Sequence, residues 1–182
     1  FENAGAFKLA QSQLDQLEKV VFSYEDDGGG CSHPVLNREM VGKDATDLAA
    51  LAGTRAPAGT ELIFAETDAS HAFVVEEQMT PMIPVVRVRD VEQGVADAKV
   101  AEHGYKHSSI IHSRHVDNTT VMARELDCTL FVKNGPSTSG LGLGGEGYLT
   151  YSIATTTGEG ITTPETFTRK RRCVMVDNLR IY

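Results

Sequence analysis

Apolar positions early in the chain recur at helical spacing: Leu14, Leu17 and Val21 share one face, and Ser12 is placed to cap that helix. A second short helix is predicted where Asp44 and Asp47 precede Leu48 and Leu51, with Gly53 as its stop. Between the two, Asp26-Asp27-Gly28-Gly29-Gly30-Cys31-Ser32 breaks regular structure, because consecutive glycines lose the most chain entropy on ordering. Pro57 and Gly59 close the second helix, and Leu62-Ile63-Phe64 reads as a strand.

From Ile83 onward the pattern alternates. Val85-Val86-Arg87-Val88 is a β-branched strand, and Asp90 with Gln93 forms a capping box for a helix carrying Val91, Val95, Ala98 and Ala101 on one face. Ser109-Ile110-Ile111 gives a second strand. Val116, Thr120, Ala123 and Leu126 mark another helix, and Leu130-Phe131-Val132 a third strand. This β-α-β-α-β order with short connections predicts an α/β fold with a parallel sheet and right-handed crossovers. After a Gly/Ser/Leu loop over residues 135–147, the alternating stretch 148–153 and Cys173-Val174-Met175-Val176 read as two further strands.

Composition narrows the partners. The 182 residues fit one domain, with 41% hydrophobic and 23% charged positions, so the chain is globular and not disordered. Seventeen basic against 25 acidic residues leave a net charge of -8, which repels nucleic acid and anionic membranes. The cluster Arg169, Lys170, Arg171, Arg172 is too short to reverse that balance and reads as a solvated or subunit-interface patch. No stretch approaches the ~20 apolar residues of a membrane span. Three scattered cysteines, Cys31, Cys128 and Cys173, suit a reducing, cytoplasmic setting. The first residue is Phe1, which leads to the expectation that the chain is a fragment.

Several groupings are candidates for chemistry. Gly140-Leu141-Gly142-Leu143-Gly144-Gly145 matches G-x-G-x-x-G, but a phosphate cradle requires a helix to leave the motif, and the departing segment at 148–153 is strand-like. A loop permitting close backbone approach fits better. His103, His107, His112 and His115 are crowded, yet zinc needs three or four converging ligands, and His107 and His112 fall at opposite ends of one strand; no metal site is assigned. Cys31 beside His33 lacks the rigid, electropositive setting of a reactive thiolate, while Cys128 and Cys173 read as small buried apolar residues. Glu76 and Glu77 follow the apolar run Phe73-Val74-Val75, read as strand-like, and precede Pro81. A carboxylate at a strand's carboxyl end suits the gripping of paired sugar hydroxyls.

The segment Phe73-Val74-Val75-Glu76-Glu77-Gln78-Met79-Thr80-Pro81 and its continuation to Val88 resembles the Glu-Glu-x-Phe-Gly-Pro stretch of aldehyde dehydrogenases. It is most similar to the CoA-acylating branch of ethanolamine- and propanediol-utilisation type, which has Met where hydrolytic members have Phe. The resemblance continues through Glu102-His103-Gly104, Ile111-His112-Ser113, Phe131-Val132-Lys133-Asn134-Gly135-Pro136, the loop 140–147, Thr157-Gly158-Glu159-Gly160 and the stretch 171–177, in the same order and over nearly the whole chain.

That resemblance implies a three-layer αβα parallel-sheet core belonging to the C-terminal part of an aldehyde dehydrogenase catalytic domain. Residues 1–182 are then one catalytic-domain portion, in which 148–182 form a C-terminal oligomerisation or strand region. It also implies a covalent relay: a cysteine thiolate attacks the aldehyde, the thiohemiacetal gives hydride to NAD, and the CoA thiol takes the acyl group. By the same resemblance Glu77 holds the nicotinamide ribose and Met79 flanks the ring. Leu143, Gly144 and Gly145 line the substrate channel, and Asn134 ends the strand before that loop. No catalytic residue is assigned, because none of the three cysteines matches the nucleophile, which the resemblance puts upstream together with the cofactor domain. Thr80 departs from the Met or Gly of the family pattern. The implied partners are an aldehyde, CoA, the missing N-terminal segment and further copies of the subunit, in the cytoplasm or a bacterial microcompartment. The competing readings are a non-catalytic binding or scaffold domain and a fragment of a hydrolytic aldehyde dehydrogenase.

Overall fold

The computed structural model describes residues 1–26, 32–145, 150 and 162–176, which divide into two compact units, Phe1–His103 and Gly104–Tyr182. In the first unit, β1 (Phe7–Lys8), β4 (Ile63–Thr67) and β5 (Met82–Val86) form a parallel sheet in the order β1-β4-β5, with Phe7 opposite Ile63 and Ile63 opposite Met82. The helix α1 (Gln11–Val21) follows β1 and buries Leu14, Leu17 and Val21 completely, as its spacing predicts. Its N-cap is Ala10, not Ser12: the Gln13 side chain turns back to accept from the Ala10 N–H at 2.8 Å, satisfying a donor that Ser12, already inside the helix, does not reach.

An antiparallel ribbon, β2 (Phe22–Asp26) with β3 (Ser32–Leu36), continues directly from α1, and α2 (Ala45–Leu51) begins after Asp44 as expected. The glycine run between β2 and β3, including Cys31, lies outside the described residues. α1, α2 and the sheet enclose a core built from Leu9, Leu14, Leu17, Leu48, Ile63, Phe73 and Met82. Phe22 meets Phe73 edge to face, with ring centroids 5.2 Å apart. The apolar run at Phe73 is not a strand. It is α3 (Ala72–Val75), one helical turn whose first free N–H, that of Phe73, is taken by the His71 side chain. Three apolar residues in a row do not separate strand from buried helix, and here no neighbouring strand is available to pair with them.

α4 (Val91–Ala101) starts at Asp90, whose carboxylate accepts from Gln93 N at 2.8 Å. The reciprocal half of the predicted box is absent, since the Gln93 amide is turned to Asp97 at 2.6 Å. At the carboxyl edge of the sheet, Glu66 and Arg87 form a two-pronged pair between β4 and the residue after β5; hydrogen bonding from Arg87 holds the Glu66 carboxyl below its usual range.

In the second unit β6 (Ser108–Ile111) and β7 (Leu130–Lys133) pair in parallel, Ser108 opposite Leu130 and Ile111 opposite Lys133, joined by α5 (Val116–Leu126). Parallel α/β construction is therefore present within each unit. After β7 a 3₁₀ turn, Ser137–Gly140, brings Leu141 back onto Leu130 and Val132.

The predicted strand at Cys173–Val176 does not form. Residues 171–176 have no ladder partner among the described residues, Val174 and Val176 are 74% and 82% exposed, and a strand without a neighbour leaves its backbone to water. Cys173 is correspondingly exposed, and Cys128 is half-buried, so neither is the fully buried thiol expected. The predicted strand over 148–153 lies, apart from Thr150, outside the described residues. No helix among the described residues is long and apolar enough to cross a membrane.

Candidate functional site

Two places carry the candidate residues, one in each unit. In the first, Glu77 stands in the loop that leads from α3 into the amino end of β5, not at a strand's carboxyl end. The loop is tied on every side. His103 Nε2 donates to the Val75 carbonyl at 2.7 Å, the Gln78 amide donates to the Phe73 carbonyl at 3.2 Å, and Gly42 N donates to the Met79 carbonyl at 3.3 Å. Thr80, the departure from the resembling pattern, closes the turn with its hydroxyl donating to the Gln78 side-chain Oε1 at 2.7 Å. Met79 is held at φ 46 with its side chain 57% exposed. A non-glycine residue in that left-handed region is uncommon and persists only where its surroundings fix it. Glu77 itself is exposed and makes no hydrogen bond or ion pair with the described residues. An anchored backbone presenting a bare carboxylate has two acceptor oxygens for a diol, so the chemistry of a ribose ligand fits it.

In the second unit, a shallow hollow of about 480 Å³ is lined by His112, Ser113, Arg114 and Asn134. Its location follows from topology: β6 ends at Ile111 and β7 at Lys133, so these residues leave the carboxyl ends of two parallel neighbours, where open α/β sheets receive ligands. Asn134, left-handed at φ 58, accepts from Ser113 N at 2.9 Å and donates to the Ser113 carbonyl at 3.1 Å. Its own N–H reaches the Ile111 carbonyl at 2.8 Å. Asn134 is thus a clamp between the two strand ends. The exposed His112 and Arg114, on either side of the clamped Ser113, offer a donor or acceptor ring and a guanidinium to whatever enters.

The glycine loop lies next in the chain. A Cβ at Gly140 would overlap Leu130 Cδ1, and one at Gly145 would come within 2.6 Å of the Ser139 carbonyl oxygen. Leu143 is 44% exposed, its N–H donating to the Thr138 carbonyl at 3.1 Å, and Gly144 is left-handed at φ 80. Gly140 thus permits close packing on Leu130 of β7 and Gly145 on the Ser139 backbone, while the segment that leaves the motif lies outside the described residues. The crowded histidines do not converge: His103 serves α3, His107 bonds Ser108 and His112 faces the hollow. No group of three or more metal-ligating side chains comes together among the described residues.

Of the residues that line this hollow, the sequence reading named Asn134 as a site candidate, weighed His112 only as a metal ligand and passed over Arg114. The position of His112 and Arg114, one and three residues past the last strand residue, was the available signal.

No family model matches the chain. It is 47% identical over 180 residues, 99% of its length, to the acetylating acetaldehyde dehydrogenase EutE of Salmonella typhimurium. The chain is homologous to part of the CoA-acylating aldehyde dehydrogenases. It spans 38% of the length of the Salmonella relative. Among solved structures, a Rhodopseudomonas palustris propionaldehyde dehydrogenase with bound propionyl-CoA superposes with a TM-score of 0.82 and 40% identity, covering 96% of this chain and 37% of that one. A propionaldehyde dehydrogenase from the Clostridium phytofermentans fucose-utilisation microcompartment gives a TM-score of 0.83 and 38% identity over 98% of this chain and 39% of that one. An engineered glycolyl-CoA reductase with bound NADP+ gives 0.82 and 39%, over 96% and 38%. The superpositions extend over nearly the whole chain, so the α/β construction described above is shared with these structures.

Proposed function

We propose that this chain is part of an NAD-dependent, CoA-acylating aldehyde dehydrogenase that converts a short aldehyde to acyl-CoA through a cysteine thioester. The observation that carries the reading is likeness along 99% of the chain to an acetylating acetaldehyde dehydrogenase. The cysteine nucleophile is assigned to a segment outside this chain, since no cysteine of the chain matches it. NAD, when bound, supplies the hydride acceptor. This chain's own part is to offer the Glu77 carboxylate to the ribose hydroxyls, to wall the ring with Met79 and to shape the substrate channel with Leu143, Gly144 and Gly145. Asn134 holds the turn that presents His112 and Arg114 to the hollow. CoA and the aldehyde are the proposed substrates. A homo-oligomer, packed in a microcompartment like its Clostridium relative, is the proposed setting in the cytoplasm.

The decisive experiment is Glu77→Gln in the full-length enzyme. Glutamine keeps the shape and loses charge-assisted acceptance, a hydrogen bond to charge being worth about 1.5–3 kcal/mol. KM for NAD should rise by at least about ten-fold, with the melting temperature unchanged. Unaltered NAD kinetics would remove Glu77 from the cofactor site; a full-length protein with no aldehyde- and CoA-dependent reduction of NAD at all would favour the non-catalytic scaffold reading.

A further inference from the structure

The turn α3 is four residues long, too short to hold itself, because nucleating one helical turn is unfavourable without outside support. Its support comes from two histidines. His71, at its start, accepts from Phe73 N through Nδ1 at 3.2 Å and stacks on the Phe73 ring at 5.7 Å. With Nδ1 accepting, the ring proton belongs on Nε2, which points at Glu18 Oε2 of α1 from 3.2 Å. The alignment falls short of a full hydrogen bond, so this buried nitrogen depends on the charge of Glu18, its near partner among the described residues. Glu18 is itself gripped on its other oxygen by the Tyr24 hydroxyl of β2. His103, at the far end, donates to the Val75 carbonyl, two residues before Glu77.

We infer that His71, braced by Glu18, and His103 are positioning residues that set the place of the Glu77 carboxylate for the cofactor. This rests on the ribose assignment above. Each histidine fixes one end of a turn from which Glu77 hangs, and Glu77 makes no contact of its own with the described residues that would hold it there. The backbone must do so. The buried Ala72 and Phe73 anchor the body of the turn, and the two imidazoles bond at its two ends.

The test is a set of double-mutant cycles in the full-length enzyme, read as KM for NAD against kcat. Asn at 71 keeps an N-cap acceptor but does not reach Glu18. His71→Asn and His103→Ala should each raise KM for NAD about five-fold, with KM for aldehyde unchanged. In a Glu77→Gln background the same substitutions should add nothing, because the group they position is already impaired. Glu18→Gln, which leaves the ring and cap intact, should repeat the His71→Asn result and covers the case in which that variant folds poorly. Equal fold-changes in both backgrounds would overturn the inference while leaving the ribose assignment standing. An unchanged KM in Glu77→Gln alone would bring down both.

Discussion

Tyr24 shows how one contact can be read from outside the site. Its hydroxyl donates to Glu18, and that bond first, then partial burial and the nearby negative charge, pushes the phenol from 10.0 up to about 12. A folded-state pKa above the unfolded one means that the stabilising contribution is complete below pH 10 and is lost as pH rises toward 12. Tyr24 is 53% exposed, so solvent screens the effect and its size is small. Alkaline absorbance titration of the folded chain should show a late tyrosine phase near pH 12 that belongs to Tyr24. Glu18→Gln should return it toward 10. If the late phase survives that substitution, Glu18 is not its cause, and the brace on His71 is not formed as described.

Among the elements, those legible in the sequence are the ones whose own residues decide them. α1 follows from Leu14, Leu17 and Val21, and α4 from Asp90. Strands with apolar β-branched runs, β4, β6 and β7, were also legible, whereas others that depend on a partner were missed or misplaced. β2 and β3 carry Ser23, Glu25 and Pro34, a polar pattern that becomes a ribbon only through pairing, and Cys173–Val176 has strand composition without a neighbour. The same holds for the site. Glu77, Met79, Leu143, Gly144 and Gly145 are proposed through resemblance, whereas the hollow at His112 and Arg114 exists only because β6 and β7 pair in parallel register. The glycine turn offers a direct measurement of element-level constraint. At Gly145 an added Cβ meets the Ser139 carbonyl at 2.6 Å, and backbone cannot step aside; at Gly140 it meets the end of a Leu130 side chain. Gly145→Ala should therefore cost more than Gly140→Ala, within the roughly 1–3 kcal/mol of overpacking, in denaturant melts of the chain. The reverse order would mean that the turn is not packed on Ser139.

At the scale of the whole chain, composition argues for a folded domain while the surface argues for missing company. Phe167, Val174 and Val176 are each more than 70% exposed, and 171–176 is a stretch of strand-like residues with no ladder partner among the described residues. Such a segment is a template for pairing with another chain. Neither described cysteine lies at the hollow: Cys128 Sγ is turned to the Leu126 carbonyl at 3.7 Å, and Cys173 is solvent-exposed. A thiol relay needs its nucleophile beside the bound carbonyl, held with a depressed pKa. Two outcomes follow for the chain purified by itself. It should fail to reduce NAD when given acetaldehyde or propanal with CoA. It should also self-associate as its concentration rises, by light scattering, and Val176→Lys should weaken that association by placing a charge on the unpaired stretch. Turnover by the isolated chain would show that one of its own cysteines does the chemistry. A clean monomer over a hundred-fold concentration range would show that the exposed stretch is no docking edge.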